Sequence, residues 1–154
     1  MKISGFKLLR IIACAIALSA CSGEPEDTRP GQPVAHRRQI FKQFTRTLEP
    51  MGMVARERKA FNRADFLASA LELKQLVGQP WHYFLPDTNY PPSHAKPEVW
   101  LQPAEFKLAQ DTFQSKANAL AALARDGTIE DLRAAVNDVE RSCKSCHKQF
   151  RNNS

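Results

Sequence analysis

The sequence predicts an all-α fold, an antiparallel four-helix bundle, and three observations point to it. Ile129, Leu132, Val136, Val139, Cys143, Cys146 and Phe150 recur at intervals of three and four, the spacing of one helix face. No stretch alternates apolar and polar residues with the strand period of two. The helical segments are joined by a long crossover in the middle and a short turn before the last, as up-down-up-down bundles allow.

The elements follow in order. The first helix is predicted over residues 34–57, with Phe41, Phe44 and Leu48 on one side; Pro50 and Gly52 are expected to kink or interrupt it. The second covers about 62–77, where Phe66, Ala70, Leu73 and Val77 share a face. Six of the ten prolines then fall between Pro80 and Pro103, too many for helix or sheet, so this stretch is a loop. The third helix covers about 103–125, with Phe106, Phe113, Ala117 and Leu120 in its stripe. Gly127 is placed to end it. Thr128 then opens the fourth helix as N-cap, with Asp131 three residues on completing a capping box.

The first twenty residues stand apart. Lys2, Lys7 and Arg10 precede the apolar run "IIACAIALSA", the order of an export leader and too short to span a bilayer comfortably. "LSAC", Leu18 to Cys21, resembles the bacterial lipobox, whose cysteine is lipidated; an ordinary leader with a chance cysteine is the alternative. The expected organisation is a lipoprotein signal peptide over 1–20, a flexible tether over 21–35 rich in Pro, Gly and charge, and a helical bundle over 36–154. The formal charge of +6 includes three basic leader residues and no acidic ones, leaving +3 for the remainder. That balance gives no reason to expect nucleic-acid binding. Export implies the periplasm, with attachment to the membrane through Cys21, and Ser22 after it suits outer-membrane sorting.

Beyond Cys14 and Cys21 the chain keeps two cysteines, in "CKSCH", Cys143 to His147. In an exported protein C-x-x-C-H is the signature of covalent attachment of one haem c. Residues i and i+3 of a helix share a face, so two thiols can reach the two vinyl groups of one porphyrin. The histidine at i+4 falls on the same side and can ligate the iron. Three rivals are weaker. A zinc site wants four ligands, and His36, His82 and His94 are scattered. A dithiol redox site favours a helix N-terminus, whereas this motif sits near a C-terminus, where the dipole opposes a thiolate. A disulfide closing so short a loop within a helix would be strained.

In an antiparallel bundle the end of the fourth helix lies beside the start of the first. Residues 37–44, "PWHYF" and "VWLQPAEF" should therefore wall the haem pocket, making Phe41 and Phe84 candidates for the face opposite His147, although either could be ordinary core. Met51 lies ten residues beyond Phe41, about 15 Å along a straight helix, and Met53 is farther, so neither is expected at the iron. His36 and His82 are nearer but are expected to be exposed or in loops.

With "CKSCHKQFR", "LRAAVNDVERS", "PWHYF" and "KPEVWLQPAEF" in view, the chain resembles the cytochromes c′, the class II c-type cytochromes, from about His36 to Arg151. The resemblance implies that Cys143 and Cys146 carry the thioethers and His147 the proximal bond. It places Arg151 beside that histidine, Arg37 near the haem propionates, Phe41 at the distal position and Phe84 as a second distal aromatic. An apolar residue at position 41 implies a high-spin, five-coordinate haem; low-spin relatives carry a ligating methionine there. The expected function is binding of small diatomic gases, nitric oxide and carbon monoxide, with a role in nitric oxide binding or protection and no dedicated catalysis. An electron carrier of the low-spin kind is the runner-up, and a haem-free structural lipoprotein the third class. Redox partner proteins and a homodimer through the first helix are further expectations.

Overall fold

The computed structural model describes residues 25–152. The signal peptide, Cys14 and Cys21 lie outside the described residues. The helices are α1 (Pro33–Ala55), α2 (Arg63–Leu76), the short α3 (Glu98–Leu101), α4 (Pro103–Leu123) and α5 (Ile129–Phe150), with a single 3-10 turn at Trp81–Tyr83. Among the described residues there is no strand, only one isolated antiparallel bridge between Ala95 and Arg151. α1 packs on α2 and α5, and α4 packs on α2 and α5, which closes the four long helices into an antiparallel bundle.

Local sequence sets each boundary. Asn62 caps α2, its side chain accepting the Asp65 N–H. Pro103 stands at the start of α4, where its missing N–H costs nothing. Thr128 and Asp131 form the reciprocal capping box that the sequence predicts for α5. Pro50 does not interrupt α1, which runs through it to Ala55. The buried side chains of Met51 and Val54 hold this last stretch against the core, and tertiary packing outweighs the one hydrogen bond that proline removes. Gly52 keeps that surface low, since a Cβ there would fall 2.7 Å from Arg56 Nη2 and 2.8 Å from Glu140 Oε1, two groups that bridge α1 to α5.

The seam of α5 is the centre of the core. Leu132, Val136 and Val139 are fully buried against Leu73, Leu120 and Phe113 from α2 and α4. Each such side chain contributes roughly 1.5–3 kcal/mol of burial. A smaller cluster of Val99, Phe106 and Phe150 gathers at the end where the proline-rich loop meets α5. There Lys96 N–H donates to Phe150 O at 2.9 Å and Asn152 N–H to His94 O at 2.8 Å, so the loop is strapped to the end of the last helix. The opposite end is closed by Arg63, which donates to Gly127 O at 2.9 Å.

The segment expected as a flexible tether, 21–35, needs correction in its second half. Helix α1 begins at Pro33, inside that range, and Asp27 is buried. Its carboxylate accepts the N–H groups of Val34 and Ala35 at 2.9 and 3.0 Å, the two orphan donors that Pro33 and Gln32 leave unsatisfied. A cap supplied from seven residues upstream has no local sequence signature.

Candidate haem site

Between α1, α4, α5 and the proline-rich loop lies a cavity of about 1030 Å³. Its α5 wall carries Cys143, Cys146, His147 and Phe150, followed by Arg151. Facing them, α1 contributes Arg37, Phe41 and Phe44, while the loop contributes Trp81, Phe84 and His94. The structure thus brings together Cys143, Cys146, His147, Arg151, Arg37, Phe41 and Phe84, while of the two stretches proposed as walls only Trp81 and Phe84 in the first and Val99 and Phe106 in the second line the cavity.

Both cysteines are half-buried, and neither is in a disulfide. Burial pushes each pKa up to about 11, and at Cys143 the neighbouring Cys146 adds to the effect. His147 opens onto the cavity. Desolvation by the surrounding walls, and then the Arg151 guanidinium, lower its pKa below the usual 6.5, so its imidazole is neutral and offers a lone pair near neutral pH. Arg151 is held where it is by backbone: its N–H donates to His147 O at 3.0 Å and it pairs with Ala95.

The wall opposite is a set of interlocked rings. Phe41 meets Phe44, Trp81 and Phe84 edge-on, with centroids 5.4, 5.9 and 6.3 Å away. Phe84 in turn stacks with Trp81 and meets Phe106 at 5.0 Å. The Trp81 indole N–H is spent on Val77 O at 2.6 Å, so it offers no donor to the cavity. Such a lining suits a flat apolar macrocycle, with the two thiols and an imidazole converging from one side.

Other candidate ligands lie elsewhere. Met51, 1% exposed, is buried in the core and borders a separate small cavity with Val54 and Phe66. Met53 does not line the large cavity. His36 stacks on Tyr83 with centroids 5.0 Å apart, and His82 leans on the same ring. His94, set aside in the sequence as scattered, does line the cavity. Its carbonyl is bonded to Asn152, however, which ties it to the α5 side, the side of His147. Its placement depends on the pairing of the loop with the C-terminal residues, for which the sequence holds no local signal.

Arg37 differs from its expected part. It is 2% exposed, and its Nη1 and Nη2 groups make four hydrogen bonds, to Tyr83 O, Thr88 Oγ1, Thr88 O and Ser93 Oγ. The guanidinium also lies 4.5 Å over the Phe84 ring. Burial lowers its pKa to about 10, which leaves it charged at neutral pH. Of its five N–H groups only the one on Nε remains for a haem carboxylate. Arg37 is first an organiser of the loop that carries Phe84.

Comparison with known proteins agrees with this geometry. The family model described as Cytochrome C' matches residues 32–151. Cytochrome c' of Alcaligenes xylosoxydans xylosoxydans is 33% identical over 123 residues, covering 80% of this chain and 95% of the relative. That of Rubrivivax gelatinosus is 27% identical over 124 residues, with coverage of 80% and 96%. The crystal structure of the Rubrivivax gelatinosus protein superposes with a TM-score of 0.77 at 26% identity, covering 81% of this chain and 98% of that one. A nitric oxide complex of a leucine variant of cytochrome c prime from Alcaligenes xylosoxidans superposes with a TM-score of 0.76 at 33% identity, covering 83% and 100%. A carbon monoxide-bound variant of the same protein gives the same TM-score, identity and coverage.

Proposed function

The chain belongs to the cytochrome c′ family, whose members bind a covalent haem c, and on that premise we propose that it is a gas-binding cytochrome with a high-spin, five-coordinate iron. Cys143 and Cys146 would hold the haem through two thioethers, and His147 would be the protein ligand to its iron. When bound, the haem would supply an iron able to take nitric oxide or carbon monoxide. Phe41 and Phe84 line the cavity with carbon only, so they admit small uncharged molecules. They also offer no hydrogen bond to a charge-separated ligand such as bound dioxygen. Arg151 stands beside His147 on the proximal side. Capture of nitric oxide, or protection against it, is the role proposed for this site, rather than turnover of a substrate.

The observation that carries this reading is the cluster of Phe41, Phe44, Trp81 and Phe84 rings lining the cavity, with Met51 and Met53 outside it. The relatives caught with nitric oxide and carbon monoxide support it. The remaining expectations complete the proposal: a lipoprotein exported to the periplasm and anchored through lipid on Cys21. Among the described residues no helix is long and apolar enough to cross a membrane. The test is an absorption spectrum of the reduced protein with and without carbon monoxide. A broad high-spin spectrum that sharpens on adding the gas is expected; a sharp low-spin spectrum indifferent to it would overturn the reading. Haem staining that survives a denaturing gel, lost in the Cys143→Ala, Cys146→Ala double variant, checks the attachment.

A further inference from the structure

The segment ahead of α1 is fixed to the rim of the bundle rather than free. Besides capping α1, the Asp27 carboxylate accepts the Tyr90 hydroxyl at 2.8 Å, and Gln32 Nε2 donates to Asp27 O at 3.1 Å. Arg29 lies 4.2 Å over the Tyr90 ring and donates from Nη1 to Asp87 O at 3.2 Å. Gly31, at φ 72, takes the left-handed conformation that turns the chain back into α1. Asp27 and Arg29 therefore bind this segment to residues 87–90 of the loop that also carries Phe84, while Gln32 braces the segment internally.

This fixation shortens the reach of a lipid anchor. Cys21 and Asp27 are six chain steps apart, which at ~3.5 Å each span no more than about 21 Å. A tether free as far as Ala35 would extend over fourteen residues, about 49 Å. With the shorter reach, the end of the bundle bearing the loop stays close to the surface in which the anchor is embedded.

That end has the apolar surface to meet a bilayer. Leu101, next in sequence to Trp100, is 75% exposed, and Leu85, whose carbonyl accepts the Trp100 indole N–H at 2.9 Å, is 50% exposed. Leu85 stands two residues before Asp87, the residue that holds Arg29. Exposed leucine around a tryptophan with its N–H satisfied is the chemistry of a membrane–water interface. Trp100 also touches Phe84 in the cavity wall, with centroids 6.4 Å apart.

We propose that Leu85, Trp100 and Leu101 form a face that contacts phospholipid, held there by the short span between lipidated Cys21 and the Asp27 clasp. This rests on the lipoprotein reading above. It turns the loop wall of the cavity toward the bilayer, where uncharged diatomic gases, being apolar, concentrate relative to water.

The test uses the full haem-loaded lipoprotein in vesicles of phosphatidylethanolamine and phosphatidylglycerol that carry a photoactivatable phospholipid, with adducts mapped by mass spectrometry. Adducts are expected on residues 84–101 and not at the opposite end, around residues 56–63 and 124–129. Leu85→Gln with Leu101→Gln should cut labelling of the loop at least threefold. Asp27→Ala, which releases the clasp, should spread labelling over the bundle while the protein stays membrane-bound. An acyl mass on the peptide beginning at Cys21 reads the lipoprotein premise separately. Its absence would remove the premise and the proposal together. A lipidated protein labelled evenly, or first at the far end, would overturn the proposal alone. So would cross-links from Leu85 or Leu101 to a second copy of the chain instead of to lipid.

Discussion

The Arg37 guanidinium lies 4.5 Å above the Phe84 ring while its two terminal nitrogens bind Tyr83 O, Thr88 and Ser93. One buried cation on α1 thus fixes the course of the loop from 83 to 93 and the ring that this loop presents to the cavity. The geometry separates two roles that a positive charge near a haem could play. If Arg37 served only to neutralise a propionate, a lysine would do nearly as well. If it organises the loop, lysine must fail, because a single ammonium cannot span four acceptors with a fork's spacing.

Arg37→Lys is therefore expected to destabilise the protein by about 2–4 kcal/mol, since buried acceptors lose their donors. Urea unfolding of the haem-loaded protein measures this. Carbon monoxide binding should also become heterogeneous as Phe84 loses its fixed position. Unchanged stability together with a shifted midpoint potential would assign Arg37 to the propionate alone.

Phe41 touches three other rings and covers the centre of the wall facing His147. Phe41→Ala should speed carbon monoxide association by removing that cover. It should also cost about 2–4 kcal/mol, at the lower end for a half-buried ring. Flash photolysis reads the first effect and denaturant unfolding the second. A stability loss with no change in rate would mean that Phe41 does not limit access.

Thr128 offers the matching control. Its capping box lies at the end closed by Arg63 and Gly127, away from the cavity residues. Thr128→Ala should lower stability by about 1 kcal/mol through the lost cap. Spectrum and carbon monoxide kinetics should stay as they were, so a kinetic change here would tie ligand entry to general loosening of the bundle.

Much of this was legible in the sequence because it depends on short-range periodicity. The seam of α5, the Thr128–Asp131 box and the spacing of Cys143, Cys146 and His147 are all properties of one helix. Phe41 and Phe84 could be placed opposite that motif because an antiparallel bundle has few ways to arrange its ends. What escaped detection is long-range. Asp27 caps a helix from outside its first turn, His94 reaches the cavity through pairing with the chain's last residues, and Arg37 binds a loop about fifty residues later. Pro50 failed as a helix breaker for the same reason, because the burial of Met51 and Val54 is a tertiary effect.

Asp27 gives the fold a predictable acid response. Burial raises the pKa of its carboxyl, but the Ala35 N–H, the Tyr90 hydroxyl and the N–H groups of Arg29 and Val34 together outweigh that and hold it below the ordinary 3.8. The Arg37 guanidinium and the Asp27 carboxylate attract one another, which also favours the ionised form. A carboxyl whose pKa is depressed on folding contributes stability that is fully present above its unfolded pKa and is lost as pH falls through the folded one. The Asp27 contribution should therefore be fully present at neutral pH and be lost only as pH falls below 3.8, through the depressed pKa of the folded carboxyl. Asp27→Asn keeps an acceptor oxygen but removes the charge. It should be less stable than the parent by about 1 kcal/mol at pH 7, the cost of a weakened cap. The gap should close in acid, where the parent's own carboxyl is protonated. Urea midpoints for both proteins across pH 2.5–7 measure the difference directly. A gap that persists unchanged at the acid end would show that Asp27 holds the segment by shape and hydrogen bonding rather than by charge.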